Sequence, residues 1–96
     1  MSIPGAAGRL LEEIITTAAT ISPRSDVVIL KGTTGISRIT PPGTGGVNDG
    51  VVTLIPVDGA VGLLATGNIA LAATIPQNKL ITLVYSISQG KWYGSI

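Results

Sequence analysis

Val51-Val52-Thr53-Leu54-Ile55 and Leu80-Ile81-Thr82-Leu83-Val84-Tyr85 are two short runs of β-branched and other apolar residues. Such residues favour a pleated, packed surface. Neither run alternates polar with apolar, so each strand is greasy on both faces. One face can line the core of the protomer, and the other needs a second layer. The two share a Val/Ile-Thr-Leu-Ile/Val signature, at Val52–Ile55 and Ile81–Val84. A weak internal duplication and a pair of ordinary β-strands both account for it.

The same pattern extends in both directions. Upstream lie Asp26–Lys31, with Val27-Val28-Ile29-Leu30 at its centre, then Gly32-Thr33-Thr34-Gly35 and Ile36–Thr40. The Pro- and Gly-rich segment 41–50 leads into Val51–Val57, and Asp58-Gly59 marks a turn. Downstream, Gly67-Asn68 separates Val61–Ala65 from Ile69–Ala73. Gln77-Asn78 precedes Leu80–Ser88, and Gln89-Gly90 precedes Lys91–Ser95. Closely spaced strands divided by turn residues predict a mainly β fold, a small antiparallel β-sandwich or barrel, over residues 25–96.

Residues 1–24 read differently, as an N-terminal arm or helix. Leu10, Leu11, Ile14, Ile15, Ala18, Ala19 and Ile21 fall on one face at helical spacing. Glu12 and Glu13 then stand in the first turn, where they complement the helix dipole. The β-branched run from Ile14 to Thr17 supports an extended arm instead, and Ser22-Pro23 ends either element. The segment is a lid over the protomer's own core or an arm laid on another protein. In the second case Leu10, Leu11, Ile14 and Ile15 supply the apolar contacts.

Charge is the outstanding feature of the composition. The chain has 6 Lys and Arg and 5 Asp and Glu in 96 residues, where an ordinary domain of this length carries roughly 24 charged side chains. A folded chain of this mass exposes on the order of 5,000 Å², which so few charges cover thinly. Packing of copies on one another or on a larger body is therefore expected. A formal charge of +1 argues against a nucleic-acid binder held by phosphate contacts. No apolar run approaches the roughly 20 residues of a membrane-spanning helix. The start Met1-Ser2-Ile3-Pro4-Gly5 does not read as a signal peptide, so the chain is expected to be made in a cytoplasm.

The chemistry available is narrow. There is no Cys and no His, so the usual triads, dyads and zinc sites are missing. Adjacent Glu12 and Glu13 do not make a catalytic pair on a helix. Gly43-Thr44-Gly45-Gly46 lacks the Gly-Lys-Ser/Thr that would make it a phosphate cradle. Asn48-Asp49-Gly50 and Asp58-Gly59 lack calcium-loop spacing and read as turns. No enzyme activity, cofactor or metal is expected. Trp92, Tyr93 and Tyr85 are the only aromatics; Trp92 either plugs a small barrel or an oligomer axis, or stacks on a sugar or partner.

Taken in order, Ile39-Thr40-Pro41-Pro42, Gly50-Val51-Val52-Thr53-Leu54-Ile55-Pro56, Gly67-Asn68-Ile69-Ala70-Leu71, Asn78-Lys79-Leu80-Ile81-Thr82-Leu83-Val84-Tyr85 and Lys91-Trp92-Tyr93 form a series of phrases over residues 39–96. The series resembles a β-rich module of tailed-bacteriophage virion proteins: tail fibres, tailspikes and capsid decoration (cement) proteins. The resemblance implies a homotrimer with a non-enzymatic structural role. Fibres usually carry the module in much longer chains, whereas here it follows a short leader. That arrangement is more similar to a decoration protein, which binds the assembled head and stabilises it, with the major capsid protein as partner. The location implied is the capsid surface of the virion. Leu54, Leu83, Val84 and Trp92 are then expected in the core and the trimer interface. Two alternatives stand beside this reading. One is a tail fibre or adhesin binding a host glycan through Trp92, Tyr93 and the 41–50 loop. The other is a cytoplasmic β-barrel that binds a ligand or peptide.

Overall fold

The structure, a computed structural model, describes residues 12–41 and 50–94. Among these the protein is mainly β, with no helix. The strands are β1 (Glu12–Thr16), β2 (Thr20–Ile21), β3 (Val27–Lys31), β4 (Arg38–Ile39), β5 (Val51–Pro56), β6 (Val61–Leu63), β7 (Ala73–Ile75), β8 (Ile81–Ser86) and β9 (Lys91–Gly94).

A main sheet has the order β1-β3-β5-β8-β9. Its first three strands are parallel, with Ile14 beside Ile29 and Ile29 beside Ile55. β8 and β9 complete it antiparallel, Leu54 facing Ile81 and Tyr85 facing Trp92. A second layer is made of shorter pieces. β2 runs parallel to β4, Ile36 bridges in parallel to Leu63, and β6 pairs antiparallel with β7. The chain thus winds in coils. Each of β1, β3 and β5 is followed by a corner and then by a segment of the second layer.

The core lies between the two layers. Val28, Leu30, Val52, Leu54, Ile81, Leu83 and Trp92 enter it from the main sheet; Ile21, Ile36, Ile39, Val61, Leu63 and Ile75 enter from the second layer. Side chains on a strand alternate in direction. The sequence neighbours of these core residues, Val51, Thr53 and Ile55 on β5 among them, therefore face away.

Two expectations are corrected. The helix over residues 9–21 is not formed in its described part. Residues 12–16 are the edge strand of the main sheet, as the β-branched Ile14-Ile15-Thr16 favours. Glu13 acts there as a turn anchor, its Oε1 accepting the backbone N–H groups of Arg24 and Ser25. β1 and β3 belong to one sheet, so the boundary expected near residue 24 falls between two paired strands.

The second correction is that the sheet is mixed rather than antiparallel. Parallel neighbours need a crossover, and the short second-layer strands supply it in place of helices. Turn residues in a sequence mark where a strand stops but not which layer the chain enters next. The echo between the two apolar runs also finds its physical reason. β5 and β8 are antiparallel neighbours, with Thr53 opposite Thr82 and their hydroxyls 3.1 Å apart. The likeness is that of two strands in one packing environment.

Candidate functional site: a buried polar knot and an apolar outer face

The distinctive chemistry of the interior gathers at Ile39. In β4 the N–H groups of Arg38 and Thr40 donate to Ala19 and Ile21 of the preceding coil, at 2.9 and 3.0 Å. The peptide groups of Ile39 point the other way, where no strand of the described residues lies beside them. Asn68 fills that place. Its Oδ1 accepts the Ile39 N–H at 2.9 Å, and its Nδ2 donates to the Ile39 carbonyl at 2.6 Å. A side-chain amide here takes the role of a strand neighbour. The same carbonyl accepts the Trp92 Nε1–H at 3.0 Å, using both oxygen lone pairs.

Backbone contacts fix this arrangement. The Asn68 N–H donates to Ser37 at 3.1 Å, Trp92 donates to Asn68 at 2.8 Å, and Ala70 donates to Trp92 at 2.9 Å. Ile69 and Trp92 form an isolated parallel bridge. Residues 68–70 therefore stitch β9 to the second layer and close that end of the core. Gly67 makes the approach possible. A Cβ there would overlap the Ser37 carbonyl oxygen, so any other residue forces the backbone apart. Trp92 is fully buried, with the Tyr85 ring tilted against it at a centroid distance of 5.2 Å, inside the range of favourable aromatic pairs.

Three of the phrases quoted above, beginning Ile39, Gly67 and Lys91, meet at this one point. By sequence, Gly67-Asn68 reads only as a turn. The signal is the Gly-Asn pair itself, but nothing local shows that the amide turns inward. The burial of Trp92 corrects the idea that its ring stacks on a sugar. The ring lies in the protomer's own core.

The corners of the coils are tied by side chains as well. Thr17, buried, donates its hydroxyl to the Lys31 carbonyl at 3.1 Å and accepts the Thr34 N–H at 3.0 Å. Asp58 accepts the N–H of Gly32 at 2.7 Å, and its other oxygen lies 3.1 Å from Lys31 Nζ. The Gly32 hydrogen bond, with help from Lys31, holds the Asp58 carboxyl below the usual carboxylate range.

The expected site residues divide between the two faces of the main sheet. Leu54, Leu83 and Trp92 are in the protomer core. Val84 is exposed on the opposite face, and so is Ile14. Ile15 packs against the core from β1. Leu10 and Leu11, like residues 42–49 of the loop, lie outside the described residues. On the outer face Ile14, Ile29 and Ile55 stand side by side, as do Val51, Val84 and Tyr93. Thr53 and Thr82 lie between these rows.

Comparison of the chain with protein-family models, with curated proteins and with solved structures finds no match. Function is therefore argued from these two features: polar side chains turned inward to hold shape, and apolar side chains turned outward.

Proposed function

We propose that this protein is a non-catalytic structural component of a tailed-phage virion, acting as a homotrimer that decorates the assembled head and stabilises it. The observation that carries the reading is the knot at Ile39. Phrases on which the virion resemblance rests converge there and spend their polar groups on holding two layers together. They define a self-supporting scaffold rather than a solvent-facing reaction centre. The scarcity of charge supports a protein that works while packed against other protein. Binding only the assembled shell shifts the assembly equilibrium towards that shell by mass action. The capsid contact proposed for Leu10, Leu11, Ile14 and Ile15 is narrowed, because Ile15 is turned to the core and Ile14 lies on the outer face of the main sheet.

A second reading, a tail-fibre element, draws on the parallel coils. β1 is the edge of a parallel stack, the geometry on which a further coil can be added in a longer shaft. Antibody labelling of virions by electron microscopy separates the two. Label on the head supports decoration, label on the tail supports the fibre, and unlabelled virions contradict both. Purified chain added to undecorated heads is expected to bind and raise their thermal stability.

A further inference from the structure

We infer that the outer face of the main sheet is the surface through which copies of this chain join, an inference that rests on the homotrimer reading and assigns its interface. The face carries two rows in register, Ile14-Ile29-Ile55 and Val51-Val84-Tyr93. Ile14 is 68% exposed, Val84 51%, Tyr93 46% and Val51 44%. No described element packs over Ile14, Val84 or Tyr93. The rows lie about 13 Å apart along the strands, with Val27, Thr53 and Thr82 between them, and five strands about 4.8 Å apart give a footprint on the order of 300 Å². That is the size of the largest apolar patch on a typical monomer, which is often functional.

A second copy is the occupant that the chemistry favours. Among the described residues the rows of this face hold no charged side chain that would select a charged partner. Its Ile, Val and Thr side chains on a pleated surface suit packing against the corresponding faces of two other copies about a three-fold axis. Charge appears only at the margins. Glu12 lies on β1 at one edge and Lys91 on β9 at the other, while Lys31 is engaged by Asp58. A ring of copies sets the β1 edge of one near the β9 edge of the next, placing unlike charges together. Such head-to-tail contacts close into a cyclic trimer.

The chain has no cysteine, which permits a clean test on full-length protein. Val84→Cys and, as a control beside the face, Ile87→Cys are prepared in otherwise unchanged chains; Ile87 is 89% exposed. Native mass spectrometry gives the stoichiometry, and the rate of labelling by a bulky maleimide gives the accessibility of each introduced thiol. The expected result is a trimer in which the Val84→Cys thiol is protected at least ten-fold relative to the Ile87→Cys thiol. A short bis-maleimide should also link the Val84→Cys thiols of neighbouring copies. A trimer in which both variants label equally fast overturns the interface and leaves the trimer standing. A monomer whose Val84→Cys thiol labels freely overturns both. A monomer whose Val84→Cys thiol is protected shows that the chain covers the face with its own residues, which also overturns the interface. Ile14→Lys with Val84→Lys in one chain is expected to convert the trimer to a folded monomer, a three-fold fall in mass with the circular dichroism spectrum unchanged. A trimer persisting in that variant contradicts the inference.

Discussion

The two faces of the main sheet are built from the same amino acids and live in different surroundings. The inner face sets Val28, Leu30, Val52, Leu54, Ile81 and Leu83 against the second layer, all buried. The outer face leaves Ile14 and Val84 exposed, with Ile29 and Ile55 half-buried beside Ile14. The inner face also has a polar knot that fixes where the second layer docks; the outer face has no counterpart among the described residues. The contrast teaches that hydrophobicity says a face will be covered, whereas buried hydrogen bonds say by which partner. Substitutions on the two faces should accordingly have different kinds of consequence.

The largest effect is expected at the inner face. Trp92→Ala removes the largest fully buried side chain and the Nε1–H bond to Ile39. It should cost about 3–5 kcal/mol in urea unfolding followed by circular dichroism. A cost under about 1 kcal/mol would show that the core closes without the indole. Next comes Asn68→Ala. It strands the Ile39 N–H in the interior and leaves its carbonyl only Trp92, a loss of about 1–3 kcal/mol per buried group left unpaired. Asn68→Asp keeps the acceptor but sets a buried carboxylate against the Ile39 carbonyl oxygen, so near neutral pH it should be at least as destabilising as alanine. If Asn68→Ala unfolds at the wild-type denaturant concentration, the knot has no role in stability.

Much of the β content is legible in the sequence, and the reasons are local. Val27–Leu30, Val51–Ile55 and Leu80–Tyr85 read as strands because their residues suit a pleat, and Gly, Asn and Pro bound them. Strand direction is not local. Nothing in Thr17–Ser25 shows that the chain leaves the main sheet and returns to it in parallel, since that depends on which layer buries Ile21. Residues 12–16 illustrate a different difficulty. Ile14 and Ile15 satisfy a helical stripe and a two-sided strand equally well, and pairing with Val27–Lys31 decides between them. At the site, Leu54, Leu83, Val84 and Trp92 are expected in core and interface, and the pleat puts Leu54, Leu83 and Trp92 in the core and Val84 on the outer face. Val84 is one position from Leu83 and so faces the opposite way. Asn68 was out of reach for a similar reason: its partner, Ile39, is 29 residues distant.

Smaller effects on the protomer belong to the outer face and the corners. Val84→Ser should change protomer stability by no more than about 0.5 kcal/mol. It should nevertheless reduce the dependence of the melting temperature on protein concentration, because association stabilises the fold by mass action. An unaltered concentration dependence would remove Val84 from the interface. The smallest effect is that of Asp58, whose contact with Gly32 and Lys31 lies in solvent. Its carboxyl titrates lower in the folded chain than in the unfolded one. The folded state therefore gains from ionisation above the unfolded value, and the gain fades as pH drops through the lower folded value. Asp58→Asn should be slightly less stable than wild type at pH 7 and converge with it as pH falls through the lowered folded value, as read by thermal melts from neutral to acid pH. Parallel curves with a constant gap would show that the charge of Asp58 contributes nothing.

The mass of the full-length protein in solution, taken by sedimentation equilibrium at micromolar concentration, probes the uncovered apolar face most directly. Three times the 9.7 kDa chain mass is predicted. A stable, folded species of 9.7 kDa that does not associate as its concentration is raised would contradict it.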